Sequence, residues 1–312
     1  MKSILAIFLA AVLVGSASAQ IPGLGKGKLK MPDLGVDGLF KKGPAITTNL
    51  KDAIWEVADK DSFNPKTDRL SSLARGPHNG FILKEGAYSA DLQSYCLHAG
   101  TYGPGKGEAY LYAPPKGPYE KIVSALVENS VLKPDVPQHD IQLLLWAMMA
   151  RTKFTDLNRD LQVTAAQLLT TKQLSDLNGG AMGFISDELM SSGLVKQPPL
   201  MRQVLEAENQ LRRALTSPTA SFSDMEKIAV LTGIAPKGEG SRETPRGRWS
   251  LHPDGFYVRY IPSGYSRTHI EVYVEPGSKA IGKEFNPATQ IAVPCETSRQ
   301  RLLQSGRLFP ET

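Results

Sequence analysis

The chain has 312 residues, of which 41% are hydrophobic, and its formal net charge is +5. This length and apolar fraction are sufficient for a sizeable hydrophobic core in one large domain or two smaller ones. The excess of positive charge is mild for the length. Because nucleic-acid binding needs a dense basic stripe, a nucleic-acid partner is not expected.

The N-terminal segment has the pattern of a secretory signal peptide over residues 1–19. Lys2 provides a short basic region, residues 4–14 are apolar, and Ala17-Ser18-Ala19 is a small-residue cleavage site. The apolar segment is too short to span a membrane, so no transmembrane segment is expected after cleavage. Residues 20–44, rich in Gly, Lys and Pro, predict a flexible basic leader. We therefore expect an exported protein, periplasmic or extracellular.

The folded region is expected to begin at residue 45, and its first regular elements are short strands. Residues 81–83 and 88–97 predict two strands, with Gly86 in the turn between them. The first cysteine of the chain lies near the end of the second strand. Residues 101–117 contain four Gly and three Pro, and this composition predicts a loop.

A helical region is predicted to follow this loop. Apolar residues recur there at intervals of three and four, and Asn178-Gly179-Gly180 is typical of a helix stop. Ser186 and Ser223 are suitable helix caps. The predicted helices cover residues 119–131, 137–151, 157–169, 171–177, 186–190, 200–215 and 223–231.

The apolar pattern changes to alternation beyond a polar linker at residues 236–247. Tight turns such as Pro253-Asp254-Gly255 separate the alternating segments. Strands are predicted at residues 248–251, 256–261, 270–274 and 289–293, and residues 298–307 receive no assignment.

Taken together, these elements predict an α+β fold. Residues 45–235 would form a mixed domain with short strands and a helical middle. Residues 248–312 would form a small antiparallel β-sheet. The linker at residues 236–247 would separate the two regions.

The helix predicted over residues 137–151 is the segment most informative about function. Residues 141–150 include one polar side chain, Gln142, among nine apolar ones. A helix that is apolar on every side is buried on every side. A buried primary amide that lacks a partner costs about 1–3 kcal/mol, so Gln142 requires a partner in the core.

Cys96 and Cys295 are the two cysteines of the chain, and three roles are open to Cys96. In an oxidising compartment it could form a disulfide with Cys295 in an inert secreted scaffold. It could attack the Gln142 amide and form an internal thioester. It could also be the nucleophile of a Cys–His hydrolase or transferase, with His139 as the base and Asp140 or another acid as the group that orients it.

Two short motifs surround Cys96 and Gln142. Residues 94–97 read Ser-Tyr-Cys-Leu, and residues 141–146 read Ile-Gln-Leu-Leu-Leu-Trp, with a Gly/Pro-rich loop and a predicted helix between them. This arrangement resembles the thioester domains of bacterial surface adhesins, in which a Tyr-Cys segment precedes a T-Q-x-A-[IVL]-W motif. The Gln-to-Trp spacing matches that motif, whereas Ile141 stands in place of Thr and Leu144 in place of Ala.

The resemblance covers residues 81–151 and implies a specific chemistry. It implies that Cys96 and Gln142 form a thioester, which a lysine amine of a target could open with formation of an isopeptide bond. His139, three residues before Gln142, could then aid proton transfer to the leaving sulfur.

We therefore expect a binding or structural protein of the cell envelope or the exterior rather than a metabolic enzyme. Its expected partner is a protein or another cell-surface component. The histidines at positions 98, 139, 252 and 269 show no metal-ligand spacing, so neither a metal nor another cofactor is expected.

Overall fold

The computed structural model describes residues 44–178 and 199–310. The predicted signal peptide, almost all of the leader and the short helix predicted at residues 186–190 lie outside the described residues. Within the part of the chain that is described, no helix is long and apolar enough to cross a membrane.

The regular elements are numbered here in chain order. The helices are α1 Glu120–Asn129, α2 Gln138–Met149, α3 Arg159–Leu168, α4 Thr171–Leu177, α5 Pro199–Leu215 and α6 Phe222–Ala229. The strands are β1 Glu56–Val57, β2 Asp68–Arg69, β3 Phe81–Ile82, β4 Gly86–Cys96, β5 Thr101–Tyr102, β6 Tyr110–Ala113, β7 Val230–Leu231, β8 Trp249–Leu251, β9 Tyr257–Pro262, β10 Arg267–Val274, β11 Glu284–Phe285, β12 Ile291–Pro294 and β13 Leu302–Leu308.

A closed antiparallel β-barrel is the centre of the fold. Its strands follow one another in the order β9, β10, β4, β13, β12 and β6, and β6 closes the ring by pairing with β9 through Tyr110 and Tyr260. Ile270, Val272 and Val274 of β10 are fully buried, whereas His269 and Tyr273 on the other face are partly exposed. Glu271 on that outer face is covered by its ion pair with Arg259. This alternation is expected for strands of a barrel whose interior is filled by side chains.

The helix α2 lies in the middle of the molecule. It packs against β4 on one side and against α1, α3, α5 and α6 on the others. All side chains from Ile141 to Met149 are buried, which confirms the prediction of a helix that is buried on every side.

The prediction of a mixed domain followed by a small separate sheet is wrong. The barrel takes β4 and β6 from the first predicted region and β9, β10, β12 and β13 from the second, so one sheet unites them. Two barrel strands escaped prediction. The strand β6 is only four residues long between Gly- and Pro-rich segments, and β13 carries Gln304, Ser305 and Gly306 at a register shift.

Two smaller predictions also need correction. The segments predicted as a hairpin around Gly86 are both strands, but β3 pairs with β11, whereas β4 pairs with β10 and β13. The cap of α6 is Ser221 rather than Ser223, because the Ser221 side chain and Asp224 form a reciprocal capping box.

Gly100, just after β4, is a point of close approach between the barrel and α5. Its φ of +70° is left-handed, and a Cβ atom added there would lie 2.6 Å from the Cβ of Ala207 and 2.9 Å from the carbonyl oxygen of Gln203. Gly277 has a similar φ of +71°, but an added Cβ would meet nothing within 4 Å.

We expect Gly100→Ala to lower the free energy of unfolding by about 1–3 kcal/mol more than Gly277→Ala. Both substitutions carry the cost of a left-handed alanine, but only the first forces the loop away from α5. Urea unfolding of the two variants measures the difference, and equal losses would contradict the close packing described for Gly100.

Candidate functional site

Three side chains of α2 line up along the end of β4. Gln138, Gln142 and Trp146 are spaced four residues apart, so they share one face of the helix. That face meets the main chain of residues 94–96. The sequence predicts both the helix and the strand at residues 88–97, but the pairing of the helix side chains with the main chain of the strand is seen only in the structure.

The end of β4 needs new hydrogen-bond partners where β10 separates from it. The last residue pair of the two strands is Arg267 with Gln93, followed by a hydrogen bond from the Ser94 N–H to the carbonyl oxygen of Ser266. Gln138 Nε2 lies at this point and donates to the carbonyl oxygens of Ser94, at 3.2 Å, and Ser266, at 2.7 Å. The helix thus takes over the side of β4 that β10 leaves.

Gln142 continues this pairing at Cys96. The Cys96 N–H donates to Gln142 Oε1 at 2.9 Å, and Gln142 Nε2 donates to the Cys96 carbonyl oxygen at 3.0 Å. The side-chain amide therefore replaces the peptide group of a neighbouring strand. Both hydrogen bonds are buried, so the amide of Gln142 and the main chain of Cys96 satisfy each other.

Trp146 holds the side chain of the same cysteine. The indole N–H of Trp146 donates to Cys96 Sγ at 2.8 Å, and both side chains are fully buried. One helix face therefore fixes the main chain of Cys96 through Gln142 and its sulfur through Trp146. Leu144, which stands where the resembling motif has Ala, is buried and does not prevent this contact.

Burial determines the protonation state of Cys96. Desolvation raises the pKa of its thiol to about 12; the Trp146 hydrogen bond acts in the opposite direction, and the nearby charge of Glu226 raises the pKa further. The free residue is thus a neutral thiol near neutral pH. Cysteines that act as free nucleophiles usually have a lowered pKa, so this environment differs from that of a thiolate enzyme.

A cavity of about 240 Å³ leads from the surface to Gln142. We call it the Gln142 cavity. It is lined by Ser94, Tyr95, Gln138, His139, Gln142, Phe222, Tyr265 and Ser266. The ring of Phe222 stacks on Trp146 with 5.7 Å between the ring centroids, and its edge contact with His139 spans 5.6 Å. Aromatic side chains therefore form much of the entrance.

Tyr265 connects this entrance to a carboxylate. Its hydroxyl group, in the turn between β9 and β10, donates a hydrogen bond to Glu226 Oε1 in α6. Burial and this hydrogen bond raise the pKa of Tyr265. The sequence did not predict Tyr265 and Glu226 as site residues. Phe222 and Glu226 are four residues apart, so the sequence does indicate that these two side chains share one face of α6.

His139 lies at the entrance of the cavity rather than on the cysteine. Its side chain is half-exposed, and its Nε2 lies 3.1 Å from Asp140 Oδ1. In residues 44–178 and 199–310, the hydrogen-bond partner of Cys96 Sγ is Trp146, and no histidine donates to or accepts from it. The structure thus brings Cys96 and Gln142 together in the core and places His139 at the surface end of the Gln142 cavity.

Cys295 and His98 lie in other surroundings. Both cysteines are free thiols, so the disulfide considered as one alternative is not formed in this structure. Cys295 follows β12, where its N–H donates to the carbonyl oxygen of Ala109. His98 Nδ1 lies 2.7 Å from Arg301 Nη1, and burial lowers the pKa of His98 well below its usual value.

Comparisons with protein-family models, curated proteins and solved structures give no match to this chain. Over the described ranges, no group of three His, Cys, Asp or Glu side chains could hold a metal ion. The function is therefore inferred from the geometry around Cys96 and Gln142.

The pairing of Gln142 with Cys96 predicts a large effect on stability. In a Cys96→Ser background, where no thioester is possible, we expect Gln142→Met to lower the free energy of unfolding by about 2–4 kcal/mol, because two buried main-chain groups lose their partner. Gln167→Met on the exposed face of α3 is the control, with an expected change within about 0.5 kcal/mol. Equal values in urea unfolding would show that the Gln142 amide contributes little.

Proposed function

We propose that this chain is an exported binding protein that attaches covalently to amines through a thioester between Cys96 Sγ and the side-chain carbonyl carbon of Gln142. The observation that supports this proposal is that two side chains of α2 fix Cys96: the amide of Gln142 pairs with its main chain, and the indole of Trp146 donates to its sulfur. The resemblance of residues 81–151 to thioester domains points to the same two residues.

Formation of the thioester needs no additional reactant. The sulfur of Cys96 attacks the amide carbon of Gln142, the thiol proton passes to the amide nitrogen, and ammonia leaves. The Cys96 N–H already donates to Gln142 Oε1, so it polarises the carbonyl group and stabilises the oxyanion that develops during the attack. The amide nitrogen, which becomes the ammonia that leaves, donates a hydrogen bond to the Cys96 carbonyl oxygen.

The raised pKa of Cys96 is compatible with this role, although it disfavours catalysis by a free thiolate. A sulfur in a thioester carries no charge, so burial does not destabilise it as it destabilises a thiolate. Cys96 is fully buried and Gln142 only 2% exposed, which limits hydrolysis by water.

Opening of the thioester attaches the target. An amine that enters the Gln142 cavity attacks the carbonyl carbon, a new amide bond forms at Gln142, and the carbon–sulfur bond breaks. The Trp146 indole N–H, which contacts Sγ, stabilises the leaving sulfur until it is protonated. The partner is thus proposed to be a protein or another surface component with an accessible primary amine.

Intact-mass spectrometry of the purified mature protein tests the thioester. We expect the wild-type mass to be lower than the sequence mass by one ammonia, and methylamine to add its full mass to this species. Cys96→Ala and Gln142→Glu should each restore the full sequence mass, because each removes one reacting group.

Two other results would contradict the proposal and identify an alternative. A loss of two hydrogens would indicate a disulfide between Cys96 and Cys295 and an inert scaffold. A full sequence mass together with rapid alkylation of Cys96 would indicate a reactive thiol, and with it a Cys–His enzyme that uses His139.

A further inference from the structure

The hydrogen-bonded pair of Tyr265 and Glu226 lies beside the reacting groups but has no role in forming the thioester as described. We infer that this pair is the proton relay for the attacking amine, with the Tyr265 hydroxyl receiving the amine proton as it passes its own to Glu226. This inference rests on the proposed thioester function and assigns the chain its general base.

The position of Tyr265 supports this role. Its side chain lines the Gln142 cavity together with Gln142 itself, so an amine in the cavity would touch it. Its hydroxyl hydrogen is directed to Glu226, which leaves the oxygen lone pairs available to an incoming N–H group. The hydroxyl can therefore accept one proton while it donates another.

The position of Glu226 supports it independently. Phe222, one turn earlier in α6, stacks on Trp146, so this face of α6 covers the site. Glu226 is close enough to Cys96 for its charge to raise the pKa of the thiol, and it is half-buried rather than on the open surface. The capping box of Ser221 and Asp224 fixes the start of the short helix that carries it.

The proton balance of the opening step is complete with these groups. The neutral amine forms a bond to the carbonyl carbon of Gln142, and its surplus proton moves through Tyr265 to Glu226. The electron pair of the breaking carbon–sulfur bond remains on Cys96. Glu226 then returns the proton to this sulfur, whose high affinity for protons makes the thiol the final product.

The variant that tests the relay is Glu226→Gln, which keeps the size and the hydrogen bond from Tyr265 but cannot accept a proton. We expect it to retain the mass deficit of one ammonia, whereas methylamine opens its thioester about 100-fold more slowly than that of the wild type. Glu206→Gln on the exposed side of α5 is the matched control and should open at the wild-type rate.

Chemical rescue separates a proton acceptor from a residue that only supports the fold. Added acetate, a small external base, should accelerate methylamine attack on Glu226→Gln and leave the wild-type rate nearly unchanged. A slow variant that acetate does not rescue, or a variant that opens at the wild-type rate, would overturn the relay while leaving the thioester intact.

Two further variants keep the inference testable. Should Glu226→Gln fail to form the thioester, Tyr265→Phe removes the hydroxyl and keeps the carboxylate; we expect it to slow opening at least tenfold, and an unchanged rate would refute the relay. His139→Gln tests a second titratable side chain of the cavity entrance, and loss of rate there alone would assign the proton transfer to His139. A wild-type protein without the mass deficit would overturn the proposed function, and the relay with it.

Discussion

The structure depends on one pair of hydrogen bonds, in which a side-chain amide takes the place of a neighbouring strand. Where β10 leaves β4, the main chain of Cys96 would lose its hydrogen bonds in the core, and Gln142 of α2 provides them. Buried main-chain groups must be paired, so α2 cannot be displaced from this position without a large cost. The barrel and the helical layer are joined at this point by directional bonds as well as by apolar packing.

The same geometry gives the site its chemical character. An amide that is fixed by two hydrogen bonds presents one orientation of its carbonyl group, and an indole fixes the neighbouring sulfur. Preorganised donors of this kind favour a reaction because no groups need to be reordered during it. Phe222 of α6 and Tyr265 of the β9–β10 turn line the cavity that leads to Gln142, and Glu226 of α6 accepts a hydrogen bond from Tyr265.

Much of the helical layer could be predicted from the sequence, because its apolar residues follow helical spacing and its ends carry recognisable caps. The buried helix with Gln142 follows from this spacing, and the position of Cys96 near a strand end follows from the strand predicted at residues 88–97. The barrel could not be predicted, since its closure depends on β6 and β13. These strands are short or polar, and they acquire their structure from partners far away in the chain. Glu226 and Tyr265 were missed because they come together only where α6 packs beside the β9–β10 turn, 39 residues apart in the chain.

The register of β4 links the site to the folding of the barrel. Cys96 faces α2 because β4 is aligned with β10 on one side and with β13 on the other. A slip by one residue would turn Cys96 to the opposite face and present Tyr95 or Leu97 to Gln142. A chain with the wrong alignment would place no thiol beside Gln142, so the proposed thioester would form only in a molecule whose barrel has the correct register.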